Sequence, residues 1–348
     1  MIPRPAVMPE RVGIVVVTYQ SAAVVERALA CLFRQTRLPE RVLIFDNGSS
    51  DATVPLLRVQ VRRSPVPVEV VSSATNLGFA AANNEAVRRL GDCTLIGLLN
   101  PDVFVEPDWL AALVRAAIAH PEAASFASRL MLDDEPGYLD GAGDVYHVSG
   151  LHWRHGHARP LDEVPGALTG HEVFSACAAA ALYRREDWIR EGGLDERFFC
   201  YAEDVDLGFR LRRSGRGCWY VGDAVAHHLG SASSGMRSAF AIYHGHRNLE
   251  WTYFKNMPRR LAWRYAALHG AAVVAGMIAA ATRGRLRPYL RAKRDAWRRW
   301  REFAAEAPQV QGMEEAVLLH QLDRRSLAAH GLRRLVTLGR GAVRAAAR

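Results

Sequence analysis

An alternation in the first hundred residues most constrains what this chain can become. Four short apolar runs, residues 13–17, 41–45, 66–71 and 94–99, are rich in Val, Ile and Leu and are separated by longer segments. The first intervening segment places Val25, Ala28, Leu29, Leu32 and Phe33 at the i, i+3, i+4, i+7, i+8 spacing of a helix with one buried face. Ser21 stands where a side-chain cap would start that helix, and a second helix is expected over 81–90. Strand and helix alternating through short connections predict a mostly parallel sheet with helices on both faces. Pro67 cannot donate to a ladder, so the third strand is expected at an edge. In such sheets ligands bind beyond the carboxyl ends of the strands. Those ends carry Thr18 and Tyr19, Asp46, Asn76, and Asn100-Pro101-Asp102, four polar groups delivered to one edge.

The chain has 348 residues, 49% hydrophobic and 23% charged, enough to bury a large core, which argues against a disulfide miniprotein or wholesale disorder. Five scattered cysteines without a CxxC pair favour a reducing compartment. The first apolar run is too short for a signal-peptide core. The uncharged segment 265–282, rich in Ala and Gly and containing His269, favours an interfacial or core helix over a membrane span. The net charge of +9 is unevenly placed. From Arg259 onward 19 Arg and Lys face 6 Asp and Glu, a balance of +13, which leaves residues 1–258 at −4.

Several motifs admit two readings each. No Gly-Lys-Ser/Thr loop and no GxGxxG after the first strand supports a P-loop or a dinucleotide enzyme, and Gly230–Gly235 is no nucleophile elbow. Asp46-Asn47-Gly48-Ser49-Ser50-Asp51 is either a strand-to-helix turn or a turn whose Asp46 accepts hydrogen bonds from a base or ribose. Asn100-Pro101-Asp102 is either a turn or a strand end whose single carboxylate meets a divalent cation, since Mg²⁺ takes few protein carboxylates. Glu203-Asp204-Val205-Asp206 complements a helix dipole, yet carboxylates crowded beside Phe198, Phe199 and Tyr201 are also expected to gain proton affinity, which suits a general base. His227-His228 fits a metal ligand, a phosphate donor or a surface pair. His152, His155 and His157 superficially resemble a metal site, but they come without Cys or a paired His motif, which argues against zinc.

Taken in order, Val15-Val-Val-Thr18-Tyr19, Asp46-Asn-Gly-Ser-Ser-Asp51, Asn76-Leu-Gly-Phe, Asn100-Pro-Asp102 and Gly192 through Leu207 closely resemble the family 2 inverting glycosyltransferases of GT-A fold. The nearest likeness is to the rhamnosyltransferase-like branch that builds bacterial surface polysaccharides, and it covers about residues 11–257. The resemblance implies that Thr18, Tyr19 and Asp46 bind the base and ribose of a nucleotide-diphosphate sugar, with Asn76 and Gly78 lining that pocket. It sets Asn100-Pro-Asp102 at the family's Asp-x-Asp metal motif, where only Asp102 keeps a carboxylate, and implies Mg²⁺ or Mn²⁺ on the diphosphate. It makes Asp204 the catalytic base beside Glu203, and puts a later metal-side histidine on His227 or His228, of which we take His228.

Two other classes share parts of this pattern. A sugar-nucleotide nucleotidyltransferase has a related α/β architecture, but no Gly-rich, Lys/Arg-bearing phosphate loop follows the first strand. A nucleic-acid binder fits the tail's charge and not the acidic balance of the first 258 residues. The expected organisation is a GT-A domain over 1–258 and an Arg-rich helical extension over 259–348. Residues 133–172 would border a glycan or lipid-linked acceptor. Trp263, Trp297 and Trp300 among the arginines suit a cytoplasmic protein resting on an anionic membrane face.

Overall fold

A computed structural model describes residues 10–230, 238–309 and 313–326. The glycine-flanked stretch 231–235, with Ser231, and the last part of the basic tail, 327–348, lie outside the described residues. The chain opens with β1 (Val12–Thr18), α1 (Val25–Leu32), β2 (Arg41–Asp46), α2 (Thr53–Val61), β3 (Val68–Ser72), α3 (Phe79–Arg89) and β4 (Leu95–Leu99). Next come β5 (Val103–Val105), α4 (Trp109–Ala119), β6 (Ala123–Leu132), β7 (Tyr138–Ala142), β8 (Asp144–Tyr146), β9 (His152–Arg154), β10 (Arg159–Pro160) and β11 (His171–Val173). β12 (Ala180–Arg184), α5 (Arg185–Arg190), α6 (Glu203–Arg213) and β13 (Gly217–His228) complete the α/β part. The helices α7 (Ala239–Asn256), α8 (Arg259–Arg264), α9 (Ala266–Thr282), α10 (Leu286–Arg298), α11 (Trp300–Ala305) and α12 (Met313–Gln321) follow.

The centre of the sheet is the parallel set β3-β2-β1-β4, with β3 at its edge as expected, although the strand begins only after Pro67, at Val68. β12 and β6 extend it in antiparallel pairs, and β13 runs parallel to β6. The fold is therefore mixed α/β with a parallel centre. β1 is buried along its whole length because side chains alternate between two covered faces. Val12, Ile14 and Val16 meet Val25 and Leu29 of α1, Leu57 of α2 and Trp109 of α4. Val15 and Val17 meet Ala86 and Val87 of α3 and Leu207 and Leu211 of α6. Gly97 lies opposite Ile14 across the β1–β4 pair, and a Cβ there would come within 2.3 Å of Ile14 Cδ1, so the glycine makes room for the branched side chain.

Two local expectations change. Ser21 does not cap α1, which starts at Val25. The turn before it is pinned from the neighbouring loop instead: Ser21 N donates to Thr53 Oγ1 at 2.8 Å and Ala22 N to Asp51 Oδ2 at 3.1 Å. Residues 173–183, whose sequence reads as a single strand, instead divide between β11 and β12, because the carbonyls of Val173 and Phe174 are taken by the Arg212 guanidinium and the Ser175 hydroxyl by Asp144, not by a strand ladder. The loop so released, 174–179, becomes part of the site.

Packing continues across residue 258. Trp251 of α7 stacks on Phe303 of α11 at 4.5 Å, and both meet Phe198 edge-on, with Ala296 of α10 in the same cluster. Arg197 bonds Glu306 at 2.6 Å, and the buried Glu250 of α7 receives His269 of α9 at 3.0 Å and Lys293 of α10. Buried charges hold only when paired. Phe303→Ala is expected to cost about 3–5 kcal/mol, the range for emptying a packed aromatic site. Urea unfolding measures it, and a loss under about 1 kcal/mol would mean that the extension is not part of this core.

Candidate functional site

The register of β1 on β2 sets Thr18 directly opposite Asp46. Thr18 is buried, and its hydroxyl donates to Asp46 Oδ1 at 3.0 Å; Asp46 Oδ2 accepts from Ser49 N at 3.1 Å. Both carboxylate oxygens are thus fixed by donors of the strand end and the following turn. Tyr19, one residue on, leaves the strand and is 38% exposed. Asn47 ties this edge to the next motif: its Nδ2 donates to Asn76 Oδ1 at 2.9 Å and to the Gly78 carbonyl at 3.2 Å, and its Oδ1 accepts from Leu77 N at 2.8 Å. Gly78 has φ of 87° and sits against Phe199, where a Cβ would fall 2.5 Å from the ring. Only glycine meets both demands.

The opposite wall is the start of α6. Its approach is unusual, with Phe199, Tyr201 and Ala202 all at positive φ (66°, 75° and 66°) although none is glycine. Asp204 is half-buried, and two backbone amides hold it: Ala178 N donates to Oδ2 at 3.0 Å and Val205 N to Oδ1 at 2.8 Å. The next residue on the 174–179 loop, Ala179, accepts from Asn100 N at 2.8 Å. One short segment therefore touches both the Asp204 carboxylate and the Asn100-Pro101-Asp102 turn.

The acidic triplet does not behave as a unit. Burial, then the Asp204 charge, pushes the Glu203 carboxyl well above its ordinary range, and its Oε2 has no hydrogen-bond partner among the described residues. Burial would do the same to Asp206, but Arg210, Lys255 and Asn256 outweigh it and hold that carboxyl below the usual value. The expectation that crowding raises proton affinity throughout fails at Asp206, which is a saturated structural anion. A further buried carboxyl, Asp144 of β8, is pushed up to about 7 by burial and by the Asp204 charge, against the hydrogen bond from Ser175.

Asp102 closes the remaining side. Its carbonyl accepts from Leu229 N at 3.0 Å, and its Oδ2 lies 3.6 Å from His228 Nε2. Successive residues of β13 point to opposite faces, so His227 turns away to Glu106 Oε1 at 2.9 Å. His228 Nδ1 meets Asp140 Oδ2 at 2.7 Å, which orients the ring and leaves Nε2 toward Asp102. Burial lowers the His228 pKa, but the contacts with Asp102 and Asp140 prevail and raise it. Asp140 itself stays well below the usual carboxylate range, because Arg154, His157 and His228 surround it and overcome its burial. A carboxylate oxygen and an imidazole nitrogen converging in this way could supply two protein ligands to a divalent cation. Among the described residues no group of three or more His, Cys, Asp or Glu forms a metal cluster, so further ligands would come from a bound diphosphate and water. His152 and His155 stand apart from this centre; His152 faces the Tyr146 ring at 6.2 Å.

Four participants escaped the sequence reading: Asn47, Asp140, Asp144 and Arg154. The signal for three of them was present as an Asp-Gly-Ala-Gly-Asp run followed by Arg154 among histidines, now paired through Asp144 opposite Arg154 on β8 and β9.

Comparison with known proteins identifies the family. Residues 13–189 match the model of glycosyl transferase family 2. The chain is 30% identical over 287 residues to the N-acetylglucosaminyl-diphospho-decaprenol L-rhamnosyltransferase of Mycobacterium tuberculosis, spanning 75% of this chain and 89% of that protein. In fold it is similar to a mannosyltransferase from Pyrobaculum calidifontis in complex with GDP-Man and Mn²⁺, at 18% identity and a TM-score of 0.54 over 90% of this chain and 88% of that one. GalNAc-T7, solved with UDP, GalNAc and Mn²⁺, aligns with a TM-score of 0.56 at 13% identity, over 71% of this chain and 48% of that one. From the family match and the rhamnosyltransferase relative together, the chain belongs to glycosyltransferase family 2, on the GT-A fold.

Proposed function

We propose that this chain is an inverting, metal-dependent glycosyltransferase that moves a sugar, with rhamnose the favoured candidate, from a nucleotide-diphosphate donor to a hydroxyl of a glycan or lipid-linked acceptor in bacterial surface polysaccharide synthesis. The observation that carries it is the Asp204 carboxylate, fixed by two backbone amides and joined through residues 178 and 179 to the Asp102 turn. The 30% identity to an L-rhamnosyltransferase supports the choice of sugar. Asp46 receives the base and ribose with Thr18 behind it, Tyr19 covers them, and Asn76 and Gly78 line the pocket. Asp102 and His228 would hold Mg²⁺ or Mn²⁺, and Asn100 shapes the turn that presents Asp102. When bound, such a cation neutralises charge on the departing diphosphate.

Asp204 takes the proton from the acceptor hydroxyl as its oxygen attacks the anomeric carbon from the face opposite the diphosphate. A new C–O bond forms as the bond to the diphosphate oxygen breaks, and the nucleoside diphosphate leaves with that electron pair. One displacement inverts the centre and needs no covalent intermediate. Glu203, buried and inclined to keep its proton, offers a hydrogen bond to the substrate at the same wall. Residues 133–172 border the acceptor. No nucleic-acid partner is assigned.

We divide the chain into a transferase unit over 1–258 and a helical extension over 259–348 that docks on the cytoplasmic membrane face. Among the described residues no helix is long and apolar enough to cross a membrane. Yet α9 has no charged residue, and Val274 and Ile278 on its outer side are 50% and 58% exposed, beside Met277. Exposed arginines flank both ends: Arg259, Arg260 and Arg264 before it, Arg283, Arg285 and Arg287 after it. An apolar face between cationic ends matches the interface of an anionic bilayer.

Asp204→Asn is expected to lower kcat by about 10²–10⁴-fold, the usual worth of a general base, while donor affinity stays within about twofold. Product NMR should give the anomer opposite to the donor's; a retained anomer would overturn the single displacement. Asp140→Asn, which removes the anionic partner of His228, should weaken Mn²⁺ binding by about 10–100-fold, read by calorimetry with nucleoside diphosphate present. Unchanged Mn²⁺ affinity would exclude His228 as a ligand. Cosedimentation with phosphatidylcholine vesicles holding about 30% phosphatidylglycerol should fall about tenfold or more for Arg283→Gln/Arg285→Gln and for Ile278→Glu, given about 1 kcal/mol per basic contact. Equal binding by both variants would reject the membrane face.

A further inference from the structure

The loop from Phe198 to Ala202 holds a conformation its sequence does not favour. L-residues with a Cβ rarely enter the left-handed region, and here Phe199, Tyr201 and Ala202 do so within four positions (66°, 75° and 66°). Such backbone persists only where surrounding groups over-determine it. Those groups can be named. Asn248 of α7 is fully buried, and its Nδ2 lies 2.9 Å from the carbonyl of Phe198, 2.8 Å from that of Cys200 and 2.7 Å from that of Tyr201. Arg247 Nη2 adds a second donor to the Phe198 carbonyl at 2.8 Å, and Ala80 N reaches the Phe199 carbonyl at 3.3 Å. Every carbonyl from 198 to 201 is therefore satisfied by a donor from outside the loop. The Phe199 ring is held as well, stacked on His244 at 5.3 Å and edge-on to Phe240.

The loop ends at Ala202, the residue before α6, and Glu203 and Asp204 follow at once. The angle at Ala202 sets the direction in which the first turn of α6 leaves, and so where Asp204 meets the amide of Ala178. We infer that Asn248, assisted by Arg247, is a positioning residue for the transfer reaction: it clamps the 198–202 loop with Phe199, Tyr201 and Ala202 at positive φ and thereby aims Asp204. The inference rests on Asp204 being the base. No other side chain of this size serves at position 248. Asp would set a carboxylate against three carbonyl oxygens, Leu would leave those of Cys200 and Tyr201 without their donor, and Gln would carry its amide a methylene too far. The nucleotide pocket has braces of its own, Thr18 on Asp46 and Asn47 on the Asn76 loop, and meets the clamped loop at Gly78 and Ala80 beside Phe199, so the clamp acts on turnover more than on donor affinity.

The test compares Asn248→Ala with the double variant Asn248→Ala/Ala202→Gly, measuring kcat per folded molecule and nucleoside-diphosphate affinity by calorimetry. The single variant should lose at least about tenfold in kcat, as expected when a base is displaced, with affinity within about twofold. The glycine should restore several-fold of that loss, because glycine adopts the left-handed angle without a clamp. A purely structural role would lower the melting temperature and leave kcat per folded molecule unchanged, which overturns the inference. So does a failure of glycine to restore any turnover. If the alanine variant does not fold, Asn248→Ser, which keeps one donor, and its Ala202→Gly partner make the same comparison. The base assignment is checked apart: an active Asp204→Asn enzyme sinks both readings, whereas an inactive one beside a fully active Asn248→Ala enzyme sinks the clamp alone.

Discussion

The pairing of β1 with β2 in one parallel register is the constraint on which the site depends. It puts Thr18 level with Asp46, and the two carry the turns that reach Ser49, Asn47 and the Asn76 loop. A slip by one residue would turn Asp46 to the opposite face of the sheet and bury its charge among the side chains of a core. Such a slip is opposed from both sides, because Ile14 and Val16 fit one covered face and Val15 and Val17 the other. Hydrophobic packing thus fixes the position of a carboxylate it never touches.

Buried charge in this molecule divides into two kinds. Asp206, Asp195 and Glu250 are neutralised by Arg210, Arg197, Lys255, Lys293 and His269, and these pairs tie α6 and the later helices to α7. Among the described residues Glu203 and Asp144 form no salt bridge, and burial with the nearby Asp204 charge raises the proton affinity of both, at Asp144 against the pull of Arg154. The second kind collects beside Asp204, at the wall proposed to face the substrate, and unmatched carboxyls that cost stability are a mark of functional sites.

What could be read in the sequence was local. An apolar run ending in a polar residue identifies a strand and the edge it reaches within about ten positions, and so the places of Asp46 and Asp102 in the fold were legible, as was the edge position of β3; Asp204 was legible as part of an acidic run that opens a helix. Asp140 was not, since its role depends on His228, 88 residues away, and on a hairpin that brings Arg154 back beside it. Asn248 acts across 50 residues on carbonyls, groups that every residue possesses and no sequence distinguishes. Ala202 reads as a good helix former, yet its left-handed angle is imposed from outside. The cap expected at Ser21 failed for a related reason: its hydroxyl is engaged by the backbone of Tyr19, and Asp51 and Thr53 at the start of α2 hold that turn instead.

The two unlike halves of the charge distribution meet in α7. Its Asn248 face holds the loop before the acidic motif, Trp251 packs against α11, and Glu250 engages α9 and α10. A force on the basic extension would reach the Phe198–Ala202 loop through one continuous helix and a set of contacts with little slack, since Phe198 touches both Trp251 and Phe303. An extension that rests on lipid would then do more than localise the enzyme. By steadying α7 it would steady the backbone that aims Asp204, so that the surface holding a lipid-linked acceptor and the residue activating its hydroxyl are braced by the same helix.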